Sequence, residues 1–80
     1  MRAPTLSGKE IIALLEKQGF VVKRQKGSHM TLYKKTSEKG LYVTVPLHGN
    51  KEIKRGTLLS IIRQAGMTKE EFGVLLKYRR

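Results

Sequence analysis

A chain of 80 residues with 39% apolar content lies near the size at which one core buries only about 60% of the unfolded surface, which predicts one domain, with no interdomain linker. The absence of cysteine excludes a disulfide framework and thiolate zinc sites. Seventeen Lys and Arg against six acidic residues, a net charge of +11, point to a polyanionic partner, with nucleic acid ahead of an anionic membrane surface or an acidic protein.

Lys9, Glu10, Glu16 and Lys17 interrupt the apolar stretch that a secretion signal would need, and no run approaches the roughly 18 apolar residues of a membrane span. A soluble, cytoplasmic protein that does not use the membrane is the expectation. Ser7 followed by Glu10 fits a capping box, and Ile11, Leu14, Leu15 and Gln18 step at helical spacing up to Gly19, which predicts a first helix over Gly8 to Gln18. Phe20 to Gln25 is rich in β-branched and aromatic residues, Lys26-Gly27 reads as a tight turn, and His29 to Lys35 as the return strand of a hairpin. After a polar turn over Thr36 to Gly40, Leu41 to Val45 alternates with period two and Pro46 ends the run. Leu47 to Arg55 is a basic loop, and Leu58, Leu59, Ile62 and Ala65 recur at helical spacing until Gly66. Thr68 and Glu71 form a second capping box, opening a short last helix with Phe72, Leu75 and Leu76 on one side, before a basic tail over Lys77 to Arg80. The class is α+β, in the order α-β-β-β-α with an extra C-terminal helix, the helices packed on one face of a three-stranded antiparallel meander.

Period-two counting places Met30, Leu32, Leu41, Val43 and Val45 under the helices. His29, Thr31, Tyr33, Tyr42 and Thr44 then share the opposite face, which is polar and aromatic, as a sheet face open to a ligand would be. Histidine takes and gives a proton near neutral pH. Metal-free RNA cleavage needs such a group, because the ribose 2′-OH must lose its proton for its oxygen to attack the adjacent phosphate in line, and a well-placed base or acid contributes on the order of 10² to 10⁴ in rate. Hairpin geometry predicts Arg24, Lys26 and Lys34 as cations near His29 for the developing phosphorane charge. Gly27 and Ser28 serve the turn or contact the substrate. By itself, a histidine on a strand is more often a surface residue balancing its neighbours.

The run Lys9-Glu10-Ile11-Ile12 through Leu15-Glu16-Lys17, the segment Arg24-Gln25-Lys26-Gly27-Ser28-His29, the strand Val43-Thr44-Val45-Pro46 with His48, and Gly56-Thr57-Leu58 with Ile61-Ile62-Arg63-Gln64-Ala65-Gly66 together resemble the HicA toxins, also called YcfA-like proteins. The resemblance covers nearly the whole chain. It implies a fold like that of double-stranded-RNA-binding domains, the activity of an mRNA interferase, and a cognate HicB antitoxin that binds and blocks the toxin, giving a hetero-oligomer. It also assigns the catalytic histidine of the Gly-Ser-His element to His29.

Lys51, Lys54 and Arg55 cluster ahead of the second long helix, where free N–H groups and the helix dipole favour phosphate. In double-stranded-RNA-binding domains a basic group at the corresponding helix start grips phosphates, so this cluster reads as grip, not chemistry. His48 fits a substrate contact or a loop hydrogen-bonder better than a second acid. Tyr33 and Tyr42 fit base stacking and cross-strand packing equally. His29, His48 and Glu52 lack a compact ligand spacing, so neither a metal nor another cofactor is expected. A non-catalytic RNA-binding module of the same fold, and a protein whose positive surface meets an acidic partner, are the alternatives from other classes.

Overall fold

A computed structural model describes residues 6–48 and 51–77, in the order α1 (Gly8–Lys17), β1 (Val21–Lys26), β2 (His29–Lys35), β3 (Gly40–Pro46), α2 (Arg55–Gln64) and α3 (Lys69–Lys77). The expected tail beyond Lys77 lies outside the described residues. Both helix starts read from the sequence form as capping boxes. Ser7 Oγ accepts the Glu10 N–H at 3.3 Å while Glu10 Oε1 accepts the Ser7 N–H at 2.9 Å, and Thr68 and Glu71 make the same reciprocal pair at 3.0 and 2.8 Å.

The end of α1 explains why the first strand begins one residue later than the composition suggests. The Gly19 N–H donates to the Glu16 carbonyl and the Phe20 N–H reaches back to Leu15 at 3.1 Å, so Phe20 completes the helix stop and drops into the core. At the other end of β1 the turn is centred on Gly27-Ser28, not Lys26-Gly27, because Lys26 pairs directly with His29. Gly27 has φ +58° while Ser28 stays at negative φ, the pattern of a two-residue turn that takes glycine at its first central position.

The strands form one antiparallel sheet in the order β1-β2-β3. Met30 faces Val45, Leu32 faces Val43 and Lys34 faces Leu41 on one side; His29, Thr31 and Tyr33 face Pro46, Thr44 and Tyr42 on the other. Leu32, Val43 and Val45 are fully buried with Ile11, Leu15 and Ile61, and Leu58 is buried beside them, so α1 and α2 cover one face of the sheet, and α3 packs on α2 through Phe72. Leu6, ahead of α1 and outside the helical pattern, is part of the same core. Slipping β2 or β3 by one residue would send Leu32, Val43 or Val45 to solvent at about 1.5–3 kcal/mol each, a large share of the roughly 5–15 kcal/mol that stabilises a domain. The register is therefore set by the core.

Pro46 closes β3 from within the strand. The Thr44 N–H leaves the sheet to donate to Gln64 Oε1 at 3.0 Å, so the proline two residues on has its nitrogen on the same outer edge, where no ladder bond is lost.

Candidate nucleic-acid interface

His29 is the first residue of β2 and is exposed on the sheet face that the helices leave open. Its neighbours across the ladder are Lys26 on β1 and Pro46 on β3. Beyond the turn, the Leu47 N–H donates to the Ser28 carbonyl, which ties the hairpin tip to the chain leaving β3.

The cations reach His29 through an irregularity. Between Val22 and Arg24 the register of β1 shifts, so that Val22 pairs with Leu32, Arg24 with Thr31 and Lys26 with His29, while Lys23 is the extra residue of a bulge. Strict alternation from Val22 would have put Arg24 and Lys26 on the helix side. The bulge turns both onto the face of His29, and Lys23 also reaches that face, its Nζ 5.8 Å from the centre of the Tyr33 ring. Lys23 escaped the sequence reading, since a bulge is a property of the ladder and leaves no mark in the residue types.

Lys34 is not brought to His29. It lies five positions along the same strand, hence on the other face, where its Nζ stands 5.8 Å from the Phe20 ring beside a groove of about 490 Å³ lined by Gln18, Leu41, Met67 and Leu75. An odd count of residues along a strand separates two side chains by the sheet itself.

The basic cluster also divides. Lys51 and Lys54 line a cavity of about 310 Å³ with His48, Glu52, Thr57 and Pro46. Pro46 therefore belongs to both places: it is the register partner of His29 and a wall of this cavity. The loop here is pinned by the Ile53 N–H donating to the Leu6 carbonyl at 2.7 Å and by a bridge between Ser7 and Glu52. Lys54 is the N-cap of α2, makes no side-chain cap hydrogen bond, and is followed by a first turn without an acidic residue, so the acid beside the positive end of the helix in this cavity is Glu52, ahead of the cap. Arg55, one residue further round, lines the groove between α2 and α3 with Leu59, Phe72 and Leu76 instead.

Tyr33 and Tyr42 pair across the strands with ring centres 4.8 Å apart and planes inclined by 47°. None of the six glutamates, all of them among the described residues, lies in β1, β2 or β3. Among the described residues no three His, Asp or Glu side chains gather as metal ligands, and no helix is long and apolar enough to cross a membrane.

No curated protein matches the chain. A family model described as the HicA toxin of bacterial toxin-antitoxin matches residues 8–67, a stretch that runs from the first residue of α1 through the sheet and α2 to Met67. Three quarters of the sequence, including the hairpin with His29 and the start of α2, thus follow that family's pattern, and the chain belongs to the HicA toxin family of bacterial toxin-antitoxin systems.

Proposed function

We propose that this protein is the toxin of a toxin-antitoxin pair and acts in the cytoplasm as a metal-independent endoribonuclease on mRNA, with His29 moving the proton and a HicB-type antitoxin binding the toxin to block it. The observation that carries the reading is the position of His29: exposed at the strand end, paired with Lys26, on a face with Arg24 and Lys23, in a sheet whose strands hold no carboxylate, in a chain of a toxin family.

As base, His29 takes the proton of the ribose 2′-OH; the oxygen attacks the adjacent phosphorus in line, the bond to the 5′ oxygen breaks, and that oxygen takes up a proton as it leaves. The products are a 2′,3′-cyclic phosphate and a free 5′-OH. Arg24 and Lys26 stabilise the charge that develops on the phosphorane. Lys51 and Lys54, with the start of α2, hold a flanking phosphate, and His48 contacts the substrate from the same cavity. Gly27 and Ser28 give the backbone its close approach at the hairpin tip.

A cleavage assay in EDTA on a long unstructured RNA tests this, comparing the wild type with His29→Ala. Cleavage by the wild type and a loss of roughly 10² or more in the variant, with RNA binding kept, is the expected result. Equal cleavage by both proteins, or none by either, would remove His29 from the chemistry, and binding without cleavage by both would make the protein an RNA-binding module.

A further inference from the structure

We propose that Tyr33 and Tyr42 form a stacking platform for an unpaired base of the RNA and so select single-stranded substrate; the proposal rests on the nuclease reading above. The two rings have different surroundings. Tyr33 is half-buried: its ring lies against the sheet over Gly40, where even a Cβ would come within 2.6 Å of Cε1, with Tyr42 beside it and the Lys23 ammonium above. Packing accounts for Tyr33. It does not account for Tyr42, which is 58% exposed on the edge strand of the face that carries Lys23, Arg24 and Lys26.

The ladder sets out the rest of the face in order. His29 and Lys26 come first, then Thr31 with Arg24 and Thr44, then Tyr33 between the exposed Val21 and Tyr42 with Lys23 beside them, and last Lys35 opposite Gly40. At about 3.3 Å per residue the rings stand roughly 13 Å along β2 from His29, a length that a short extended strand of RNA covers. Cations along such a path meet phosphates, while an exposed aromatic meets the π-face of a base. A base within a duplex already has both faces stacked, so only an unpaired one gains from Tyr42. An acidic protein segment would also answer the cations, but it meets the exposed ring only where it carries an apolar or aromatic side chain, whereas RNA brings a base with every phosphate.

The probe is a short 2′-O-methyl RNA strand, which lacks the attacking hydroxyl and is bound without being cut, alongside a duplex of the same length. Tyr42→Leu should weaken single-strand binding by about fivefold or more, the low end for one stacked base, while Tyr42→Phe and the duplex stay within about twofold of the wild type. With the wild-type protein, abasic linkers placed one at a time should cost about fivefold at one or two positions of the strand and little elsewhere. Unchanged single-strand affinity in Tyr42→Leu, an equal loss on duplex, a Phe variant as weak as the Leu variant, or indifference to every abasic linker would each overturn the platform and leave the nuclease standing. A wild type that neither binds nor cleaves RNA would overturn both.

Discussion

Two glycines show how single positions shape the hairpin end of the molecule. A Cβ on Gly8 would stand 2.5 Å from the Pro46 carbonyl oxygen and 3.0 Å from Leu47 Cδ2, so the absent side chain lets the start of α1 press on the strand end that flanks His29. Alanine ordinarily stabilises a helix relative to glycine by about 0.5–1 kcal/mol. Here Gly8→Ala should instead destabilise by about 1–3 kcal/mol, because backbone must move to relieve the overlap, and the melting temperature should fall by roughly 4–8 °C per kcal/mol. A thermal melt that rises would show that this contact is not close. Gly27 is the opposite case, with open space around it and φ +58° as its one constraint. Gly27→Ala should cost about 1–2 kcal/mol in a urea titration, and Gly27→Asn less, since asparagine tolerates the left-handed region.

At the level of elements, the open edge of β3 is managed by α2. Gln64 accepts the outward Thr44 N–H and is itself held by donating from Nε2 to Ser60 Oγ at 3.1 Å, so a helix side chain satisfies an edge group that would otherwise be free to pair with another strand. In Gln64→Leu the amide of Thr44 should exchange with solvent markedly faster while those of Val43 and Val45, which point into the sheet, keep their protection; equal rates at Thr44 in both proteins would show that the bond does not protect it. This long-range contact could not be read from residue types, and neither could the bulge at Lys23. What could be read was whatever is local or periodic: two capping boxes, two glycine helix stops, and the alternation that assigned Leu32, Val43 and Val45 to the core and His29, Tyr33 and Tyr42 to the other face. The site was legible to the same extent. His29 and Lys26 are neighbours because a two-residue turn makes them so, but Arg24 shares their face through the bulge, and Lys34 and Arg55 leave the group because strand parity and the helix turn carry them elsewhere.

Over the whole molecule, a net charge of +11 is less informative than where the few negative charges sit. Glu10 and Glu71 are committed to helix caps, and no carboxylate falls in β1, β2 or β3, so the open sheet face presents Lys23, Arg24 and Lys26 unopposed by an acid in the strands. A polyanion drawn to this face must release counterions on binding, which makes affinity depend on salt in proportion to the phosphates engaged. Single-strand contacts to about five phosphates predict a log–log slope near −3.5, each phosphate contributing about 0.7. The geometry sharpens this into a comparison between two lysines of equal charge. Lys26→Gln, on the face of His29, should make the slope shallower by about 0.7, whereas Lys34→Gln, beside Phe20 under the other face, should leave it unchanged although the net charge falls by the same amount. Equal effects of the two substitutions would mean that RNA responds to total charge and not to a face, and the open side of the sheet would lose its claim as the interface.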